Sequence, residues 1–208
     1  MTLRVSEHEQ GTPEWLQERL GLITASQVKS LISGTGKPST SAKGYIDTII
    51  AELLMGEPEE TYQSAAMLRG IELEPEARRW VELQRDYDVS ESGLLIRDDL
   101  GVACSPDGLI DGYQATSGGL EIKCLIAKNH VAALRSGKML TEYIPQVQCS
   151  MWVTDRAWWD FCCYHPTMPK LLIRVQRDQE YIDKMATEVA KARAVIEKSM
   201  KEIQEKYA

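Results

Sequence analysis

Two carboxylates and a lysine are the residues of this sequence whose types and spacing best suit chemistry. Asp107 stands in Ser105-Pro106-Asp107-Gly108, and Glu121 and Lys123 in Gly119-Leu120-Glu121-Ile122-Lys123-Cys124. Both segments read as strands with apolar flanks: Val102-Ala103-Cys104 before Asp107, Leu120 and Ile122 around Glu121. Residues i and i+2 of a strand project from one face, so Glu121 and Lys123 share a side. The turn-rich stretch 111–119 joins the strands and lets Asp107 fold back onto Glu121, 14 positions further on. Two carboxylates and one ammonium then converge. Carboxylate oxygens suit Mg²⁺, a hard cation. One or two such ions held against a phosphate would offset charge on the attacking and leaving oxygens. The lysine would orient the attacking water, or help deprotonate it if burial lowers its pKa. Each piece has an ordinary alternative: Ser-Pro-Asp-Gly is a good turn, and Glu-x-Lys suits a solvated strand edge. Charges set between apolar residues on a core strand need a reason, however, and the three together point to metal-assisted phosphodiester hydrolysis.

The elements that must position this trio follow from hydrophobic period and punctuation. Thr12-Pro13 reads as an N-cap and first helical residue of a short helix. A second short helix is predicted over 25–32, a flexible loop over 33–40, and a third helix over 42–54 with Tyr45, Ile46, Ile49, Ile50, Leu53 and Leu54 on one stripe. A helical stretch follows over 65–84, where Pro75 either kinks it or opens its second half. Strands are predicted over 89–96, 101–110 and 118–124, helices over 128–136 and 141–152, then strands over 157–164 and 171–175. Asp178 is the N-cap expected for a long final helix, about 178–206, with its stripe on Ile182, Met185, Val189, Val195, Ile196 and Ile203. This order describes one α/β domain over 1–208, a mixed central β-sheet flanked by helices. Gly36-Lys37 is not a phosphate-binding P-loop, because Leu31 stands at the first glycine and Pro38 at the required Ser/Thr.

Composition narrows the class. With 43% hydrophobic residues among 208, the chain has enough apolar surface for a real core. It has no apolar run long enough to span a membrane, and Met1 to His8 lacks the apolar region of a secretory signal. A cytoplasmic location is expected. Five cysteines, an odd number without a CxxC pair, fit neither a zinc site nor a disulfide framework and read as reduced, buried apolar residues. His8, His130 and His165 show no paired spacing and read as structural or exposed. The net charge of −7 argues against coating DNA by electrostatics alone, although local charge and bound cations decide the matter.

Ordered blocks then make a resemblance specific. They are Gly11-Thr12-Pro13-Glu14-Trp15 with Arg19 to Ser26, Arg69-Gly70 through Glu74 with Ala77-Arg78, Ala103 to Leu109, Leu120 to Cys124, and Tyr143 to Val153. In this order the chain resembles the lambda exonuclease (YqaJ-type) family of phage recombination nucleases, in the PD-(D/E)xK superfamily. The resemblance implies a restriction-endonuclease-like core, with Asp107, Glu121 and the Ile122 main-chain carbonyl as metal ligands and Lys123 activating water. Glu74 would sit close to a pair of Mg²⁺ ions, with Mn²⁺ as a substitute; its alternative is an i,i+4 salt pair with Arg78. Arg19, Ser26 and Ser105 would hold a 5′-phosphate, arginine because its fork grips phosphate oxygens; an ordinary helix-surface charge is the other reading of Arg19. Of Gln146 and Gln148, one would border the site, with Gln148 favoured. An acidic residue on the strand before Asp107 corresponds to Asp98 or Asp99. The family further implies 5′→3′ digestion of linear double-stranded DNA to mononucleotides, a homotrimeric ring, and a single-strand annealing protein that takes up the 3′ tail. The alternatives are an endonuclease on the same fold and a catalytically silent DNA-end-binding module. Nucleases that carry an iron–sulfur cluster on a C-terminal cysteine group fit poorly, since no cysteine follows Cys163.

Overall fold

In the computed structural model, which describes residues 3–59 and 65–207, the strands form two four-stranded sheets. The outermost positions of the expected 1–208 domain lie outside the described residues. The first sheet has the order β1 (Arg4–Val5), β3 (Leu95–Arg97), β4 (Val102–Cys104), β2 (Ile23–Thr24), with β2 parallel to β4 and the other pairs antiparallel. The second has the order β5 (Gly108–Tyr113), β6 (Thr116–Lys123), β7 (Trp158–Cys163), β8 (Leu171–Gln176), with β6 and β7 parallel. The helices are α1 (Pro13–Glu18), α2 (Ala42–Met55), α3 (Ala65–Arg85), α4 (Ala127–Ser136), α5 (Ile144–Thr154) and α6 (Gln179–Tyr207).

The single central sheet of the sequence reading is therefore two sheets, and Pro106 marks the division. Proline has no amide hydrogen for a ladder, so the segment read as one strand over 101–110 ends at Cys104 and resumes at Gly108. The strand expected over 89–96 is confined to Leu95–Arg97, with Ser90 making an isolated bridge to Leu109. The loop expected over 111–119 is mostly strand. Gln114 (φ 49°) and Ala115 (φ 62°) alone turn the β5–β6 hairpin, both in the left-handed region that a tight two-residue hairpin turn requires. The segment 25–32 is not an α-helix but one 3₁₀ turn, Val28–Ser30, after which Ile32 bridges to Pro38. The helix expected over 141–152 starts as a 3₁₀ turn, Thr141–Tyr143, and becomes α5 with Pro145 in its first turn, where a missing N–H costs nothing. Helix α3 runs through Pro75 without a break.

Because β6 and β7 are parallel, the chain must cross over between them, and α4 and α5 make that crossover. Helix α3 covers one face of the second sheet, with Ala77 and Val81 on Ile110, Leu120, Trp158 and Cys162. Ala133, Val147 and Met151 cover the other face on Trp159 and Phe161. Helices α2 and α6 pack on the first sheet through Ile49, Ile50, Ile182, Met185, Val189 and Ile196. Asp178 caps α6, its carboxylate accepting from the Tyr181 amide at 3.0 Å. The α6 stripe runs through Ala192 and leaves Val195 47% exposed, because steps of three and four from Val189 reach 192 and 196. Likewise Leu54, placed on the α2 stripe by periodicity, is exposed.

Candidate active site

The end of β6 brings the sequence-predicted trio together. Glu121 is 2% exposed, and its Oε1 accepts from Lys123 Nζ at 2.6 Å. Asp107 stands beside it at the start of β5: its amide donates to the Leu120 carbonyl at 3.2 Å, and its Oδ2 accepts from the Ile122 amide at 2.5 Å. Glu74 approaches from α3, close enough for its charge to act on Asp107 and to feel Glu121. It is also the i,i+4 partner of Arg78, at 2.7 Å, so the two readings of Glu74 coexist.

Electrostatics set the states of these groups. Burial pushes the Asp107 carboxyl well above the ordinary carboxylate range, and the negative charges of Glu121 and Glu74 push it further, against Lys123 and the Ile122 amide. Burial also raises Glu74, opposed by Arg78. Lys123 departs from the expectation of a lowered pKa. Burial works against its charge, but Glu121 and Asp107 outweigh that and raise its pKa, so it stands as an ammonium and not as a base. Its Nζ lies 5.3 Å from the centre of the Tyr143 ring, which adds a cation–π contact. Burial raises the cysteine thiols too, Cys124 to about 11 and Cys149 to about 12, so neither is a nucleophile near neutral pH.

Two of the expected assignments change. Gln146, not Gln148, borders the site: its Nε2 donates to Glu121 Oε1 at 2.7 Å. Gln148 is buried on another face of α5, donating to the Gln176 carbonyl at 2.9 Å and accepting from the Asp178 amide at 2.9 Å, where it ties β8 to the cap of α6. Neither Asp98 nor Asp99 joins the trio. Asp98 pairs with Arg4 at 3.0 Å and Asp99 with Arg97 at 2.9 Å, both within the β3–β4 turn. Sequence reasoning also missed Arg78 as a clamp. Its Nε donates to the Asp107 carbonyl at 2.9 Å while the same guanidinium holds Glu74 and Glu91. The only signal for it was the i,i+4 spacing from Glu74.

Ser26 and Ser105 stand together past the neighbouring strand ends, and Arg19 is linked to β2 through Tyr45. β2 and β4 are parallel with Thr24 opposite Ala103, so Ser26 and Ser105 leave the sheet side by side. The Ser105 hydroxyl donates to Gln10 at 2.9 Å, and the Ser26 hydroxyl lies 3.3 Å from that of Thr24. The Arg19 guanidinium stacks 4.4 Å from the Trp15 ring centre, and its charge is felt by Tyr45, whose hydroxyl meets the Thr24 amide. The histidines remain outside. His130 is buried against the Pro169 carbonyl at 2.7 Å.

Hard oxygen donors, crowded enough to raise two carboxyl pKa values, suit a divalent cation. Among the described residues no three His, Cys, Asp or Glu side chains converge as a metal-holding group. The expected set needs only two carboxylates, Asp107 and Glu121, with the Ile122 main-chain carbonyl, and β6 supplies two of those three positions.

A restriction-endonuclease-like α/β core with a PD-(D/E)xK trio at the end of a strand defines a nuclease. The YqaJ-like viral recombinase domain model matches residues 14–157, and the chain belongs to that family. An alkaline exonuclease from Laribacter hongkongensis superposes with a TM-score of 0.84 at 34% identity, covering 94% of this chain and 97% of that one. Its complex with dAMP gives a TM-score of 0.83 at the same identity and coverage. A phage-related exonuclease from Haemophilus somnus 129PT shares the fold at 17% identity and a TM-score of 0.66, covering 88% of this chain and 96% of that one. No curated protein matches in sequence. No helix among the described residues is long and apolar enough to cross a membrane.

Proposed function

We propose that the protein is a Mg²⁺-dependent 5′→3′ exonuclease that digests one strand of linear double-stranded DNA to mononucleotides and leaves a 3′ single-stranded tail. The gathering of Asp107, Glu121 and Lys123 at the end of β6, with Glu74 and Gln146 against them, carries this reading. Asp107, Glu121 and the Ile122 carbonyl would hold Mg²⁺, with Mn²⁺ as a substitute, and the bound ions would supply Lewis-acid stabilisation of the phosphate and lower the pKa of the attacking water. Lys123, held as an ammonium, orients that water and offsets developing negative charge. Gln146 fixes the rotamer of Glu121, and Arg78 fixes Asp107 through its carbonyl. Arg19, Ser26 and Ser105 receive the terminal 5′-phosphate, which sets the distance from the end to the bond that is cut. The capture of the Laribacter enzyme with dAMP supports a mononucleotide product. We further propose a cytoplasmic homotrimeric ring around the duplex and a single-strand annealing protein that receives the tail, as in recombination by strand annealing.

The test is digestion of a 5′-phosphorylated linear duplex with Mg²⁺ or EDTA, beside Glu121→Ala and a circular duplex. Shortening of the linear DNA from its 5′ ends, only with metal and only with Glu121, supports the reading. Cutting of the circle makes the protein an endonuclease. Binding of ends with no cutting makes it a recruitment module.

A further inference from the structure

Near the ends of β6 and β7 stand two cations, Arg69 and Lys170, and a histidine, His165, that have no role in the proposed reaction. Arg69 of α3 donates to the Leu125 carbonyl at 3.3 Å. Its charge reaches the Cys124 thiol together with those of Asp107, Glu74 and Lys123, so Arg69 stands at the rim of the carboxylate site. His165 follows β7, its ring 5.5 Å from that of His130, and the charges of Arg69, His130 and Lys170 converge on it. Lys170 immediately precedes β8, with Nζ 5.4 Å from the Tyr164 ring centre. Beside Lys170, the Tyr164 hydroxyl donates to Glu76 at 2.6 Å. Among the described residues Arg69, His165 and Lys170 form no ion pair, in a chain of net charge −7 where carboxylates are abundant. Burial, then Arg69, His130 and Lys170, hold the His165 pKa below the ordinary histidine value, so the unpaired charges are those of Arg69 and Lys170, and an anion entering between these two would relieve their repulsion and favour the charged imidazole.

Strand order says which anion. β5 runs antiparallel to β6 and β8 antiparallel to β7, so the starts of β5 and β8 lie at the same end as the finishes of β6 and β7. Along that end stand Asp107, then Lys123, then His165, then Lys170. Ser105, two residues before Asp107, continues the row on the other side, with Ser26 beside it through the β2–β4 pairing. Adjacent strands are about 4.8 Å apart, so the His165–Lys170 group is one to two spacings, roughly 5–10 Å, beyond Lys123 and opposite the serines. A nucleic-acid backbone laid across this end meets them in order. We propose that Arg69, His165 and Lys170 form a second backbone-phosphate subsite, which grips the digested strand on the far side of the scissile bond from Arg19, Ser26 and Ser105. The inference rests on the exonuclease reading and deepens it: the scissile linkage is held from both sides across the carboxylates, so its alignment does not depend on the 5′-phosphate alone.

The experiment is binding of a 5′-phosphorylated duplex, in EDTA so that nothing is cut, over a salt series for the wild type, Lys170→Ala and Arg69→Gln. Each substitution is expected to weaken binding about tenfold, the scale of one charge-assisted contact. Each should also make the slope of log K against log salt shallower by about 0.7–0.9, the loss of one phosphate contact. A duplex with a neutral methylphosphonate at the second or third linkage from the 5′ end should bind the wild type more weakly and Lys170→Ala no more weakly than the ordinary duplex. Among the described residues the Lys170 ammonium makes no hydrogen bond, so this variant answers the question even if Arg69→Gln, which loses the Leu125 contact, melts early. Slopes equal to the wild type in folded variants, or a neutral linkage that weakens Lys170→Ala as much as the wild type, overturn the subsite and leave the exonuclease reading intact. Failure of the wild type to bind DNA at all overturns both.

Discussion

At the scale of single residues, two glutamines two positions apart on α5 face opposite ways and have opposite duties, and the difference is measurable. Gln146 donates to the same Glu121 oxygen that Lys123 holds. Groups that orient a metal-binding carboxylate commonly contribute 10- to 100-fold to affinity or activity, so Gln146→Ala is expected to lower kcat by about that factor with little change in melting temperature. Gln148 bridges the Gln176 carbonyl and the Asp178 amide inside the protein. Its removal leaves both unpaired, and Gln148→Ala is expected to cost about 1–3 kcal/mol in urea unfolding while the folded fraction keeps its activity. If the two variants exchange these behaviours, the placement of Glu121 against Gln146 is wrong. The sequence offered both glutamines at helical spacing with nothing to say which faces β6. That choice is made by the crossover geometry, which no local pattern encodes.

At the scale of elements, the second sheet holds the site by letting two tryptophans lie flat on β6. A Cβ on Gly118 would stand 2.3 Å from the Trp158 ring, and one on Gly119 2.3 Å from the Trp159 ring. Trp159 is fully buried and cannot move aside. Gly119→Ala is therefore expected to destabilise by about 1–3 kcal/mol through overpacking. Because Gly119 is two residues from Glu121, activity should fall as well, even at temperatures where the variant is folded. A variant as stable and active as the wild type would mean that β6 and β7 do not sit at this register. The sequence reading placed these glycines both in the turn-rich stretch 111–119 and at the start of the strand 118–124, since glycine signals a turn and a close approach equally well and only the partner ring distinguishes them. Where pattern and physics agree, the sequence was informative. Glu121 and Lys123 share a face as the two-residue period requires, and the helices 42–54 and 178–206 lie close to their expected bounds. Where tertiary contacts decide, it was not. Burial alone suggested a lowered pKa for Lys123, and only its two carboxylate neighbours reverse the sign.

At the scale of the whole molecule, the proposed exonuclease is acidic, so a processive grip on DNA would have to come from shape as well as charge, and the proposed ring would supply it. Leu68 (46% exposed) and Ile71 (61%) stand exposed at a three-residue spacing on one side of α3. An exposed apolar pair on one helix face suits burial against a second copy, as the proposed ring would require. The ring reading expects the wild type to run in light scattering as a species of three times 23.4 kDa. It expects Leu68→Glu with Ile71→Glu to shift that species toward the single chain, since a carboxylate at each position makes burial unfavourable. The separated chains should still cut, because Asp107, Glu121 and Lys123 come from one chain, but they should release the DNA after few turnovers. A trap of excess unlabelled duplex added after initiation would then stop the variant and spare the wild type. A wild type found as a single chain that nevertheless resists the trap would remove the ring from the explanation and put the whole burden of processivity on the two phosphate grips along the end of the sheet.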